Sequence, residues 1–307
     1  MTDHVYDMII IGGGPAGYTA ALYGARAGLD VVVVERMSVG GQMTLTGDIE
    51  NYPGFDEGID GFTLGMKMMQ GAERFGARTE YAEVNAVELG GEIKKVITTV
   101  GVMLSKVVII ASGANARQLG VPGENELIGR GVHYCAHCDG RFYKGKTVVV
   151  VGGGNSAVSD ALYLSRLASK VYLVHRRDTL RATRIYHEPL LKAENVEFVW
   201  NSVVEGFIAE KKVGGIKVKD VNTAETKVID CDGVFVSVGR EPVTAFLGGA
   251  LPLDKNGYII ADETTKTSIK GVFAVGDVRT KVLRQVVTAV SDGAVAAHFA
   301  EEYLSGI

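Results

Sequence analysis

Residues 7–36 (DMIIIGGGPAGYTAALYGARAGLDVVVVER) and residues 147–176 (TVVVVGGGNSAVSDALYLSRLASKVYLVHR) align without gaps at an offset of 140. Gly12 falls on Gly152, Gly14 on Gly154, Tyr23 on Tyr163 and Val34 on Val174. Each copy is a short apolar run, a glycine turn, an amphipathic stretch and a second apolar run. That order predicts strand, turn, helix and strand, the βαβ unit of a dinucleotide fold. The glycines have separate tasks. The first makes the tight turn, and the second lets backbone approach a pyrophosphate at the helix N-terminus. The third, Gly17 or its counterpart Ala157, allows close helix–strand packing. One such motif is weak; two in the same strand–turn–helix context predict two nucleotide sites. The competing reading is a pair of structural units with empty turns.

The residue closing each second strand discriminates between nucleotides. In the first copy it is Glu35, whose carboxylate accepts hydrogen bonds from ribose hydroxyls and repels a 2′-phosphate. The first site is therefore read as taking FAD or NAD. In the second copy it is His175, followed by Arg176, Arg177, Arg181 and Arg184. Guanidiniums bind phosphate bidentately and keep their charge, so the second site is read as preferring NADPH. The plain alternative is a solvated basic helix start.

The chain has 307 residues, enough for two domains. After the second unit, VFVSVGREP (234–242) and GVFAVGDV (271–278) read as strands ending in glycine turns, and residues 286–304 have helical spacing. The second of these strands is read as returning to the first domain. The expectation is an α/β protein of two Rossmann-like, three-layer ββα nucleotide-binding domains, the second inserted into the first. The boundaries are placed at 1–115 with 246–307, and at 116–245. Crossings near 114–117 and 241–246 would then make a hinge.

The formal net charge of −4 argues against nucleic acid as a partner. No apolar run reaches membrane-span length, and the first residues lack the basic start of a secretory leader. The chain is read as cytoplasmic. Three cysteines make no disulfide framework, so a disulfide here is expected to be catalytic.

Cys135 and Cys138 flank Ala-His in HYCAHCDG, just upstream of the second glycine turn. A pair at this spacing can form a readily exchanged disulfide, and the motif tends to lower one thiol's pKa. Two other readings are weighed. His133, Cys135, His137 and Cys138 offer zinc ligands, yet sit too close together to wrap a tetrahedral ion. Inert core thiols fit poorly in so exposed-looking a turn. Asp139 is a candidate acid or merely a turn residue before Gly140. Cys231, alone in VIDCDGVFV, is read as buried.

GGGPAG (12–17), GGQ (40–42), ENYPG (50–54), ASGA (111–114), CAHCDG (135–140), GGGNSA (152–157), HRRDTLRA (175–182), VGR (238–240), GDV (276–278) and RQV (284–286) occur in this order. Over essentially the whole chain this set resembles the low-molecular-weight thioredoxin reductases, which are FAD-containing homodimers. The resemblance implies that Gly12, Gly14, Pro15, Ala16, Gly17, Glu35, Gly41, Gln42, Asn51, Ala111, Gly113 and Gly276 hold FAD. It places Asp277 on the ribityl–phosphate side and Arg284, Gln285 and Val286 along the isoalloxazine. Gly152, Gly154, Asn155, Ser156, His175, Arg176, Arg177, Arg181, Gly239 and Arg240 would hold NADPH. Electrons would pass from NADPH through FAD to the Cys135–Cys138 disulfide, and then to thioredoxin or a thioredoxin-like protein. Cys138 would face the flavin, Cys135 would attack the partner, and Asp139 would protonate a leaving thiolate.

The sequence departs from the family pattern at several positions. His137 stands where Thr or Val is more usual, and His133 replaces a small polar residue. Ser159 and Asp160 stand where two acids are common, and Leu180 stands for Phe. Two further readings keep the scaffold but change the activity. One is a disulfide oxidase or a ferredoxin-fed reductase, against which the arginine cluster speaks. The other is a non-enzymatic sensor that binds FAD and NADPH.

Overall fold

A computed structural model describes residues 4–45, 48–183 and 187–306. Arg184 of the basic cluster lies outside them. The chain divides into two compact units. Met1–Leu45, Ile49–Asn115 and Glu241–Ile307 make the first, and Ala116–Arg240 is the body of the second. Residues 241–245 thus pack with the first unit, five positions earlier than the boundary expected from the sequence.

The first unit opens with β1 (Val5–Ile11), α1 (Pro15–Arg26) and β2 (Val31–Glu35). A short ribbon of β3 (Asp48–Ile49) and β4 (Ile59–Asp60) leads to α2 (Gly61–Glu73) and β5 (Arg78–Tyr81). An antiparallel meander follows: β6 (Val84–Glu88), β7 (Lys94–Thr98) and the long β8 (Gly101–Ile110). The chain leaves through β9 (Ala114–Ala116). The second unit contains β10 (Val132–His133), α3 (Ala136–Asp139), β11 (Thr147–Val151), α4 (Asn155–Ser165), β12 (Lys170–Val174), α5 (His187–Leu191) and β13 (Val196–Val199). Its own antiparallel meander is β14 (Ser202–Ala209), β15 (Val213–Asp220) and β16 (Thr226–Asp230), followed by β17 (Gly233–Val236). The chain re-enters the first unit through β18 (Arg240–Pro242), which pairs with β9, and finishes with β19 (Val272–Ala274) and α6 (Val286–Ser305).

The internal repeat is visible in the hydrogen bonding. Met8 pairs with Val31 and Ile9 with Val32, while Val148 pairs with Val171 and Val149 with Tyr172. The register of β1 on β2 therefore recurs on β11 and β12 at the same offset of 140. In the first unit, β5, β2, β1, β8 and β19 form a parallel run. In the second, β13, β12, β11, β17 and β10 do the same. The central strands are apolar on both faces, as strands covered on both sides must be. Residues 8–11, 107–110, 148–151 and 234–236 are all buried.

Helix α1 owes its place to small residues. Ala16, Gly17, Ala20, Ala21 and Gly24 are buried on it, and Ala289, Gly293, Ala296, Ala297 and Ala300 are buried on α6. A Cβ added at Gly293 would overlap the Ala16 carbonyl, so the two backbones touch where only hydrogen fits. Among the described residues no helix is long and apolar enough to cross a membrane.

The start of α6 is tied to the turn after β19 by a buried ion cluster. Asp292 Oδ2 accepts from Gly276 N and Arg279 Nε, both at 2.8 Å, and from Lys281 Nζ at 2.9 Å, while Oδ1 accepts from Arg279 Nη2 at 2.8 Å. Burial alone would raise the Asp292 pKa. The hydrogen bonds from Arg279 and Lys281 outweigh it, and the carboxyl lies below its ordinary range. Replacing Asp292 by Asn would leave Arg279, which is 1% exposed, with only the long 3.4 Å contact to the exposed carboxylate of Glu263. The expected cost is about 3–5 kcal/mol in chemical denaturation. Because the folded pKa is depressed, this contribution is complete above the unfolded carboxyl's pKa and is lost as pH falls through the folded value. Asp292→Asn should therefore lose most stability near neutrality and approach wild type in acid. A uniform loss at every pH would contradict the assignment.

Candidate active site

In the first unit the residues expected at the FAD site gather where parallel strands end. Gly12 follows β1, Glu35 ends β2, Ala111 follows β8 and Gly276 follows β19. Ligands of open α/β sheets sit at this edge. Gly12 has φ +107°, and a Cβ on it would lie 2.5 Å from the Ala111 carbonyl oxygen. Gly14 caps α1 and would place a Cβ in open space. No side chain caps α1, and Pro15 and Ala16 open its first turn. The strand end is thus pressed against its neighbour while the helix N-terminus stays clear for an anion. Glu35 holds the turn, because its Oε2 accepts from Gly13 N at 2.7 Å and its Oε1 from Met37 N at 3.0 Å.

The remaining FAD candidates arrive from distant parts of the sequence. Gly41 and Gln42 lie on the 3-10 turn Gly41–Leu45, which Gly40 N ties to the Gly13 carbonyl at 2.8 Å. Gln42 donates to Asn115 at 3.1 Å. Asn51 donates to Gln285 at 3.0 Å across a sequence gap of 234 residues. Gln285 caps α6 in a capping box with Thr288, and Val286 is the first helical residue. Gly113 has φ +71° and accepts from Val243 N at 3.0 Å. Arg284 donates to the Asp277 carbonyl at 3.4 Å, and its guanidinium lies 4.0 Å from the Tyr258 ring centroid.

The second turn repeats the device. Gly152 has φ +148°, and a Cβ there would overlap the Ser237 carbonyl. Gly154 again faces open space, and no side chain caps α4, which begins with Asn155 and Ser156. The basic segment folds back onto this turn: Arg181 N donates to the Gly153 carbonyl at 2.7 Å, and Asn155 Oδ1 accepts from Thr183 N at 2.8 Å. Arg176 and Arg177 are exposed beside it. His175 instead lies under the turn, where a Cβ on Gly153 would meet its ring. Burial and then Arg181 hold its pKa down, and its Nε2 is buried without a hydrogen-bond partner. Gly239, at φ +122°, accepts from Arg117 N at 3.0 Å, and Arg240 begins β18. Both turns therefore fit a dinucleotide: each is too crowded for a side chain on its strand side and open on its helix side.

Cys135 and Cys138 form a disulfide, S–S 2.06 Å. The exposed turn expected from the sequence is instead the helix α3, with Cys135 as its N-cap and both sulfur residues half-buried. His137 is exposed and its ring lies 4.3 Å from that of Tyr163. Asp160, on α4, bonds Ser237 at 2.5 Å; burial raises its pKa against the pull of Ser237, His137 and Arg240. Asp139 is buried rather than displayed on a turn, and His133 Nδ1 lies 3.1 Å from its Oδ2. Cys231 is buried, and burial with Asp232 and Asp230 pushes its thiol up to about 12. Nothing in the sequence announces that His133 pairs with Asp139, or that Tyr143 pairs with His133. His133 and Tyr143 belong to no periodic pattern, and only the unusual histidine at 133 signalled them.

The profile of the pyridine nucleotide-disulphide oxidoreductase family matches residues 6–293. The chain is 48% identical over 304 residues to a thioredoxin reductase of Listeria monocytogenes, spanning 98% of this chain and 95% of that one. It is 45% identical to a thioredoxin reductase of Treponema pallidum, spanning 97% of each. The solved thioredoxin reductase of Streptococcus pyogenes superposes with a TM-score of 0.92 at 45% identity, over 100% of both chains. With a disulfide beside one of two matching glycine turns, the chain belongs to the pyridine nucleotide-disulphide oxidoreductases and, within them, to the thioredoxin reductases.

Proposed function

We propose that this chain reduces thioredoxin, or a protein like it, with NADPH, using the Cys135–Cys138 disulfide as the exchangeable carrier. The observation that carries this reading is the disulfide itself, formed in the unit that also bears the second glycine turn and its arginines. The first unit is assigned FAD and the second NADPH. When bound, FAD supplies the passage from hydride transfer to thiol chemistry that side chains alone cannot provide.

The chain's own residues divide the remaining work. Gly12, Gly14, Pro15, Ala16 and Gly17 seat the FAD pyrophosphate, and Glu35 accepts from ribose while excluding a 2′-phosphate. Gly41, Gln42, Asn51, Ala111, Gly113, Gly276, Asp277, Arg284, Gln285 and Val286 surround the rest. Gly152, Gly154, Asn155 and Ser156 seat NADPH, with Gly239 and Arg240 beside them. Arg176, Arg177 and Arg181 take its 2′-phosphate, and neutral His175 supports the turn from below. In the dithiol state, the Cys135 thiolate attacks a partner sulfur and forms a mixed disulfide. Asp139 protonates the departing partner thiolate. Cys138 then displaces the partner, restoring the internal disulfide and releasing a partner dithiol.

We also assign a homodimer in the cytoplasm. The exposed side chains of Val282, Leu283 and Val287 on the first unit support the dimer. Sedimentation at micromolar concentration checks the dimer.

Replacing both Arg176 and Arg177 with Ala removes two charge-assisted contacts, at about 1.5–3 kcal/mol each. The specificity constant for NADPH should fall at least about tenfold, with NADH little changed. Equal losses for both nucleotides would show that these arginines do not read the 2′-phosphate. Turnover tests the whole reading: NADPH consumption should be sustained by thioredoxin and slow with oxygen alone. A Cys138→Ser variant should accumulate a mixed disulfide joining Cys135 to thioredoxin. Brisk oxygen consumption without thioredoxin would favour an oxidase, and no turnover with either acceptor a sensor.

A further inference from the structure

One buried carboxylate of the second unit takes no part in the assigned chemistry. Glu124 is 2% exposed. Three hydrogen-bond donors hold its charge. Oε1 accepts from Leu119 N at 2.9 Å and from the Tyr134 hydroxyl at 2.8 Å, and Oε2 accepts from Gly120 N at 2.8 Å. Two of these donors are backbone groups of the loop that Glu124 itself closes. The third comes from the thiol segment, ten residues further along the chain.

Tyr134 is the residue before Cys135. Strand β10 ends at His133, in register with Phe235 of β17, and α3 begins at Ala136. Tyr134 and Cys135 are therefore the whole link between strand and helix. Cys138 lies within α3, whose Ala136 and Asp139 are buried. Cys135 lies just outside it with extended backbone, φ −142° and ψ 102°, and its side chain makes no capping bond. The residue that is tied down is Tyr134. Its ring packs, with Leu119 and Val121, against the buried cluster that includes Val132 and Val234, and its hydroxyl is bound to Glu124. Burial and then Glu124 raise the phenol's pKa, so the group stays a protonated donor. A hydroxyl donated to a carboxylate is charge-assisted, about twice as strong as a neutral bond.

We propose that Tyr134 and Glu124 are positioning residues for Cys135: their bond holds the two-residue link in one conformation once the disulfide has opened, so that Cys135 stays within reach of Cys138. The inference rests on the reading of this pair as the exchangeable carrier. In the closed form the sulfur–sulfur bond restrains the link by itself. In the dithiol that restraint is gone. The link is then held by the bonds from Cys138 N and Asp139 N to the Cys135 carbonyl, at 3.3 and 3.1 Å, and by the Tyr134 side chain. Displacing a partner from Cys135 is an intramolecular attack by Cys138. Its rate follows the effective concentration of one sulfur about the other. Tyr134 and Glu124 exchange neither proton nor electron in this role, and act only through Cys135.

The test compares the flavin-loaded enzyme with Tyr134→Phe, which keeps the ring and removes only the hydroxyl, and with Glu124→Gln, which keeps an acceptor for Tyr134 but loses the charge. Each protein is equilibrated anaerobically, without NADPH, in glutathione buffers of known thiol-to-disulfide ratio, and the opened pair is scored by alkylation. Two glutathione thiols become one glutathione disulfide as the Cys135–Cys138 disulfide becomes two thiols, so two electrons and two protons change hands. The equilibrium constant should move on the order of tenfold toward the protein dithiol in Tyr134→Phe, about 30 mV, and by less in Glu124→Gln. When the reduced enzyme is mixed with thioredoxin, the mixed disulfide on Cys135 should last on the order of tenfold longer in Tyr134→Phe. NADPH should still reduce the flavin at the wild-type rate. A purely structural bond would lower the denaturation midpoint of Tyr134→Phe and leave the glutathione equilibrium and the mixed-disulfide lifetime unchanged. That result, with NADPH opening the wild-type disulfide, overturns the positioning role while the carrier stands. If NADPH leaves the wild-type disulfide closed, the carrier reading fails, and this inference with it.

Discussion

The structure depends on one steric constraint, applied twice: a strand end pressed so closely to its helix and neighbouring strand that no side chain fits. A Cβ on Gly12 would strike the Ala111 carbonyl, one on Gly17 would overlap the Gly12 carbonyl, and one on Gly152 would overlap the Ser237 carbonyl. The closeness turns the first peptide N–H groups of α1 and α4 outward, uncapped by side chains. An uncapped helix start gains an anion as its natural partner. This single geometry is what the proposed seats for two pyrophosphates rest on. The positions of Glu35 and His175 follow too, at the end of and just after the paired strands.

The sequence made this much legible because the constraint is local. Glycine spacing, apolar runs and the strand-end residue all lie within thirty positions, and the recurrence at 140 appears again as an identical strand register. The arginine cluster was legible for the same reason, although only the fold shows Arg181 bonded back to Gly153. The first compact unit resumes at Glu241, five residues before the expected 246. Val243 N bonds the Gly113 carbonyl, and β18 pairs with β9, so residues 241–245 return to the first unit before any composition change marks it.

What the sequence hid are contacts between residues that no period connects. Asp292 sits in an ordinary helical stretch, and nothing in its neighbours announces Arg279, Lys281 and Gly276 as partners. Asn51 and Gln285 meet across most of the chain. Tyr143 reaches His133 because a short helix and a 3-10 turn fold the thiol segment back onto β10. Each pairing is a product of tertiary packing, in which burial forces a polar group to find whatever partner the fold supplies.

On the proposed function, the Cys135–Cys138 disulfide is a store of electrons in series with the first-unit nucleotide, rather than a structural clasp. Anaerobic titration of the flavin-loaded protein with NADPH measures this directly, with flavin absorbance and free thiols read together. Flavin and disulfide are each two-electron couples, so wild type should consume about two equivalents of NADPH per chain and expose two new thiols. A variant with both Cys135 and Cys138 replaced by Ser should consume about one. Equal consumption by the two proteins, with the disulfide still intact in wild type, would show that the disulfide is a structural clasp.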